Sequence, residues 1–105
     1  MEKKITINHK EYTMPKLSID NYMEYLKLEE EIDTHRRYTG QDIANMCTFV
    51  CKVYGNQFTE AELKDPETGL DPAGLIMEFQ GIDMDTAQEI EKRLEKITKN
   101  SSTAS

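Results

Sequence analysis

"TGQDIANMCTFVCKVYG", residues 39–55, is the most apolar helical stretch of the chain and predicts the centre of its core. Its apolar side chains recur at steps of three and four residues, which places them on one helix face. They are Ile43, Met46, Cys47, Val50, Val53 and Tyr54. Thr39 and Asp42 have the spacing of a capping box, and Gly55 is a typical helix stop. The stretch therefore predicts a helix against which the other elements pack.

The front of the chain, residues 3–14, predicts a β-hairpin with a turn at residues 8–11. Its apolar side chains alternate with polar ones, and Asn8 tolerates the left-handed backbone that tight turns need. The alternating side chains are Ile5, Ile7, Tyr12 and Met14. A two-stranded hairpin is only marginally stable in water, so its apolar face must be covered. Two interpretations stay open. In one, the hairpin packs across the first two helices through these four side chains and leaves its outer edge available for self-association or partner contact. In the other, it only caps the core.

A first helix is predicted over residues 19–34, with Ser18 as its N-cap. Its expected core-facing stripe is Ile19, Tyr22, Met23, Leu26 and Ile32. Further along, Thr59 and Glu62 predict a short helix by their capping-box spacing. Asp71 can cap another helix that starts at Pro72 and that Gly81 is expected to interrupt.

The last predicted helix runs from Asp85 to about Lys99. Ala87, Ile90, Leu94 and Ile97 form a narrow coiled-coil-like seam in it. Because the seam is too short for a stable free coiled coil, it must pack on its own domain or on a partner. Residues 100–105 are small and polar, which predicts a disordered tail. The fold class is therefore mainly α (α+β), with a hairpin before four to five helices in one domain at residues 1–99.

The charge of the chain disfavours nucleic acid as a partner. Its 105 residues include 20 acidic and 13 basic side chains, for a net charge of −7. Such a surface repels phosphate backbones. No apolar signal region begins the chain, and no run reaches the roughly 18 residues that span a bilayer. We expect a cytoplasmic protein with no membrane partner.

No residue pattern predicts catalysis, a metal site or a cofactor. A zinc site at Cys47 and Cys51 would need both His9 and His35, and cysteines four apart in an apolar stripe are more typical of a core. The acidic loop after residue 64 lacks the turn glycine and final glutamate of an EF-hand, so helix capping is the favoured interpretation. The chain is, however, rich in flexible and aromatic side chains, with six Met, five Tyr and three Phe. Such a composition suits adaptable protein binding, but core filling is the favoured interpretation for most of the methionines, here Met23, Met46 and Met77.

Three stretches carry a family resemblance: "KITINHKEYTMPKLSIDNYMEYLKLEEEID", "YTGQDIANMCTFVCKVYGNQFTEAELKD" and "GLIMEFQGI". Together with the order of the elements over residues 3–97, they closely resemble the tail assembly chaperones of long-tailed bacteriophages and prophages of Gram-positive hosts. The resemblance implies a non-enzymatic factor that binds the tape measure protein and keeps this aggregation-prone client soluble. It also implies that tail tube subunits polymerise around that client and that the chaperone is absent from the mature virion.

Further partners follow from the same resemblance. A longer form made by ribosomal frameshifting is expected to touch the tail tube protein through a C-terminal extension. A homo-oligomer is a separate hypothesis, which rests on the outer edge of the hairpin. For client contact we predict Phe79, Met84, Ile90, Leu94 and Ile97, although burial within the monomer is equally consistent with their pattern. The main alternative function is an acidic inhibitor or decoy of a host basic protein. Salt dependence separates the two, because a charge mimic loses its partner steeply in salt.

Overall fold

The computed structural model describes residues 3–35 and 37–104, and in that part of the chain a two-stranded hairpin precedes four helices. The elements are β1 (Lys4–Ile7), β2 (Lys10–Thr13), α1 (Ile19–Asp33), α2 (Gly40–Val53), α3 (Glu60–Lys64) and α4 (Pro72–Ala104). The prediction of a mainly helical fold behind an N-terminal hairpin is therefore confirmed. None of the described helices has the length and apolarity that crossing a bilayer requires.

The hairpin closes through a turn that is tighter than the sequence predicts. Asn8 and His9 have φ of 52° and 66°, the backbone of a two-residue turn. Lys10 and Glu11, which were assigned to the turn, instead pair with Ile7 and Thr6 in the antiparallel ladder. The wider turn was wrong because the left-handed conformation of both central residues lets the strands pair up to the turn itself.

Local capping starts each helix where the sequence predicts. Ser18 Oγ accepts from the backbone N–H of Asn21, and complete capping boxes begin α2 and α3. Asp71 Oδ1 accepts from the backbone N–H of Gly74 at 2.8 Å and so caps α4. These bonds satisfy N–H groups that have no partner inside the helix.

Gly55 ends α2 as expected, and it does so with a positive φ of 72°. Its N–H bonds to the carbonyl of Lys52, and the N–H of Asn56 bonds to that of Cys51. This pair of bonds is the Schellman motif, which favours glycine because the left-handed backbone strains other residues.

The core is centred on α2, as its apolar pattern predicts. Phe49 of α2, Tyr25 of α1 and Phe79 of α4 form a triangle with ring centroids 4.7 to 6.0 Å apart. Aromatic pairs at these separations stabilise beyond the area that they bury. Cys47 and Cys51 are buried in the same core, where burial raises the pKa of the Cys51 thiol to about 11. Both cysteines therefore act as apolar core residues.

The core-facing side of α1 differs from the predicted stripe. Tyr25 is fully buried, and Tyr22, Leu28 and Ile32 pack beside it. Ile19, Met23 and Leu26, which were assigned to the core, are exposed. The prediction placed the wrong face of α1 in the core, because Tyr25 carries a polar hydroxyl and its position in the pattern is typical of a surface residue. Its ring nevertheless fills the space between α2 and α4, although its hydroxyl has no hydrogen-bond partner among the described residues.

One helix, α4, replaces the two that the sequence predicts on either side of Gly81. Gly81 lies within it, where a Cβ atom would come 2.7 Å from the Lys3 ammonium. The glycine thus makes room for the Lys3 side chain rather than ending a helix. The backbone of α4 also continues to Ala104, since no Gly or Pro after residue 99 stops it. The division into a domain at residues 1–99 and a disordered tail at 100–105 stays a prediction.

The hairpin is fastened to the loops after α2 and α3 and to α4. The N–H of Asn8 donates to the carbonyl of Thr68 at 2.6 Å, and the Gln57 amide donates to that of Thr13 at 3.1 Å. The Lys3 ammonium lies 3.5 Å from the Glu78 carboxylate. These contacts place the hairpin against the two loops and α4. Ile5 and Ile7 belong to the same buried cluster as Tyr25 of α1 and Phe49 of α2. Packing of the hairpin across the first two helices stays a prediction.

Candidate protein-binding surface

The five residues predicted for client contact fall into three different environments. Phe79 is 2% exposed and belongs to the core. Ile90, Leu94 and Ile97 are 52%, 57% and 60% exposed, and the spacing of these three places them on one face of α4. We call these three the α4 row. Met84 is also exposed, but it lies about 120° around the helix from Ile90, on the side of Met77.

The C-terminal half of α4 extends away from the rest of the protein. Every described side chain from Ile90 to Thr98 is exposed, whereas Leu75, Phe79 and Ile82 in the first half are buried. At the helical rise, residues 90–104 extend about 20 Å. The α4 row therefore lies on a helix that contacts little of its own domain.

The exposed side of α1 carries a second apolar row. Ile19, Met23 and Leu26 are spaced four and three apart, and Ile19 is 81% exposed. We call these three the α1 row. The sequence singled out the same residues but assigned them to the core. Their i, i+4, i+7 spacing was therefore the signal, and its interpretation as a buried stripe concealed the surface.

A groove connects the two rows. It lies between residues 14–22 and residues 82–93, and its volume is about 690 Å³. Ile19, the first residue of the α1 row, lines one wall, and Ile90, the first residue of the α4 row, lines the other. Further apolar lining comes from Met14, Leu17, Tyr22 and Ile82. Each row thus contributes its first residue to the groove, whose apolar lining comes from both sides.

Tyr22 holds the α1 wall of the groove in place. Its ring stacks on that of Tyr25, with centroids 6.2 Å apart, and its hydroxyl donates to Asp83 of α4 at 3.4 Å. Burial, followed by the negative charge of Asp83, raises the pKa of Tyr22, so the hydroxyl stays protonated as a donor at neutral pH. The wall is thus tied both to the core and to the helix opposite.

The charge of the groove is opposite to that of the protein. Its lining contains four of the 13 basic side chains, Lys3, Lys16, Lys92 and Arg93, but only two of the 20 acidic ones, Asp85 and Glu89. Arg93 donates to Glu89 at 3.0 Å, and this bond lowers the pKa of that carboxyl. Lys3 lies 3.9 Å from Asp85. Among the described residues, no carboxylate lies within 4.0 Å of Lys16 or Lys92.

The hairpin residues divide between the core and the groove. Ile5 and Ile7 are buried, and Tyr12 packs on Phe58 with ring centroids 5.3 Å apart. Met14 is partly buried and contributes to the groove. An interface role for the hairpin edge stays a prediction.

A comparison with known protein families gives a match that spans nearly the whole chain. A family model described as "Phage tail chaperone protein" matches residues 1–103. No curated protein and no solved structure matches the chain.

Proposed function

Because the chain belongs to the phage tail chaperone family, and so is a tail assembly chaperone, we propose that its client is the tail tape measure protein. In this proposal it binds the client without catalysis, keeps it soluble and promotes polymerisation of the tail tube around it. The chaperone acts in the cytoplasm of the bacterial host and is left out of the mature virion. A longer frameshifted form contacts the tail tube protein.

The observation that carries the proposal is the exposed α4 row. Three large apolar side chains, each more than half exposed, follow one another on one face of α4. Such an arrangement costs solubility unless another molecule covers it. Helix-in-groove recognition uses apolar anchors with this spacing, so a helical apolar client is the partner that this surface fits.

Several copies can act on one long client. Each additional copy bound along the client adds a contact of modest strength, and simultaneous engagement gives avidity without one tight site. Self-association of the chaperone, which we also propose, would strengthen this effect. The acidic remainder of the surface would keep the complex soluble by mutual repulsion.

Co-expression with the tape measure protein tests the proposal. We expect the client to become soluble and to stay bound in a pull-down at both low and high salt, since apolar contacts resist screening. Leu94→Asp should abolish both effects, and Met77→Asp, also exposed on α4 but outside the row and groove, should leave them intact.

Two outcomes would contradict the proposal. A client that stays insoluble with both the short and the longer form would remove the tape measure protein as client. A complex that dissociates steeply with salt and survives Leu94→Asp would favour the decoy alternative, in which charge rather than apolar contact holds the partner.

A further inference from the structure

We propose that the groove selects client segments that are apolar helices flanked by acidic side chains. This inference rests on the proposed function, because it names the chemistry of the segment that the chaperone binds. It assigns selection to Lys16 and Lys92, which stand on opposite walls of the groove. The occupant is a part of the partner protein, with apolar side chains on the groove lining and carboxylates near the two ammonium groups.

Charge complementarity supports this choice of occupant. The chain as a whole has a net charge of −7, yet basic side chains outnumber acidic ones two to one in the groove lining. Lys3 and Arg93 already have carboxylate neighbours, whereas Lys16 and Lys92 have none within 4.0 Å in the described part of the chain. A carboxylate from a partner would therefore meet two basic groups without displacing an existing ion pair.

The shape of the lining supports a helical occupant. Ile19 and Ile90 face the same groove from different helices, and Met14, Leu17 and Ile82 add apolar surface between them. An amphipathic helix presents one apolar stripe with charged residues at its borders. Its stripe would contact this lining while its borders reach the lysines on each wall.

The contrast with the remaining surface makes the groove selective. An acidic segment is repelled by most of the protein and attracted only where the lining is basic. A basic segment, in contrast, is attracted to many places on the acidic body. Attraction at one place combined with repulsion elsewhere is an effective route to specificity.

Two labelled synthetic helical peptides test the selection. Both carry leucines at the same i, i+3, i+4 and i+7 positions, and one has Glu where the other has Lys. Fluorescence anisotropy with the full chain should show roughly tenfold tighter binding of the Glu peptide at low salt, and a smaller preference at high salt. The test is stringent because the overall charge of the protein predicts the opposite preference.

Charge-reversal variants place the effect in the groove. Lys16→Glu combined with Lys92→Glu should remove the preference or invert it. The matched control combines Lys10→Glu with Lys27→Glu, which makes the same change in net charge on exposed residues outside the groove. It should retain most of the preference. Circular dichroism and thermal melting should show that both variants keep the fold.

Equal binding of the two peptides, tighter binding of the Lys peptide, or a preference that survives Lys16→Glu with Lys92→Glu would overturn the inference. Its failure is distinguishable from failure of the proposed function. A wild-type chain that solubilises the tape measure protein but shows no Glu preference loses only the groove inference. A chain that prefers the Glu peptide but does not solubilise that client keeps the groove and loses the named client.

Discussion

The two halves of α4 have similar sequence patterns and different surroundings. Leu75, Phe79 and Ile82 in the first half are spaced four and three apart and are buried against the other elements. Ile90, Leu94 and Ile97 in the second half have the same spacing and are exposed. Spacing predicts an apolar helix face equally well in both cases. It does not predict whether the face is covered by the same chain.

The difference between the halves is the presence of α2. The first half contacts α2, and Phe79 meets Phe49 with ring centroids 5.9 Å apart. The second half has no such cover: its start lies across the open groove from residues 14–22, and its side chains are exposed from Ile90 to Thr98. An apolar row that its own domain leaves uncovered is evidence for an intermolecular partner, because burial against such a partner removes apolar area from water.

The largest expected effect is a difference in the free energy of unfolding between a substitution in the first half of α4 and one in the second half. Phe79→Ala should lower the free energy of unfolding by about 3 to 5 kcal/mol, since it opens a cavity in the aromatic triangle. Leu94→Ala should change it by less than about 0.5 kcal/mol, because the side chain is exposed. Urea denaturation followed by circular dichroism measures both. Similar losses for the two variants would show that the second half also packs on the domain.

A smaller effect is expected from weakening the helix that covers the first half. Asp42 is buried at the start of α2, where it accepts from the backbone N–H of Thr39 at 2.9 Å and contacts His35. Asp42→Ala should destabilise the protein by about 1 to 2 kcal/mol at neutral pH. Asp20→Ala, an exposed acid in the first turn of α1, is the matched control and should cost less.

The stability that Asp42 contributes should decrease as the pH falls. The backbone N–H of Thr39, and then His35, lower the pKa of Asp42 below its ordinary value of 3.8. The stabilisation is therefore complete above about pH 4 and is lost as the pH falls through the lowered pKa. Wild type and Asp42→Ala should converge in stability in that acidic range. A gap that stays constant down to pH 2 would show that the carboxylate charge is not involved.

A still smaller effect is expected at Gly81, near the junction of the two halves. Alanine is a better helix former than glycine by about 1 kcal/mol, but its Cβ would displace the Lys3 ammonium from Glu78 and Asp85. Gly81→Ala should therefore stabilise the protein clearly in a Lys3→Ala background and less in the wild type. Thermal melting of the double-mutant cycle measures the difference. An equal gain in both backgrounds would mean that Lys3 does not depend on the space at Gly81.

The features that the sequence predicted correctly are those that depend on neighbouring residues. Ser18, Thr39, Thr59 and Asp71 cap helices through bonds to groups three residues away, so their spacing contains the information. Which face of α1 is buried, and why Gly81 is a glycine, depend instead on residues that are distant in the sequence. Tyr25 is buried by Phe49 and Phe79, and no local pattern shows that contact.

The candidate surface likewise has a part that the sequence predicted and a part that it did not. Its α4 row was predicted, because Ile90, Leu94 and Ile97 form a seam that stands out among charged neighbours. The α1 wall was not predicted, because Ile19 is exposed only as a result of the burial of Tyr25 on another face of the helix. A groove between two helices is a tertiary feature, so the sequence indicated one wall of it and the fold supplied the other.

The smallest expected change in stability gives the sharpest test of the comparison. A chain that ends after Glu89 lacks the α4 row, yet its stability should fall by no more than about 0.5 kcal/mol, because the side chains from Ile90 to Thr98 are exposed. Pull-down of the tape measure protein should be lost at the same time. A chain that ends after Thr98 keeps the row and should retain both properties. Large destabilisation by the shorter chain would mean that the second half is part of the core, while unimpaired client binding would place the client site elsewhere. Loss of binding with intact stability would show that the first half of α4 supports the fold while the second half binds the client.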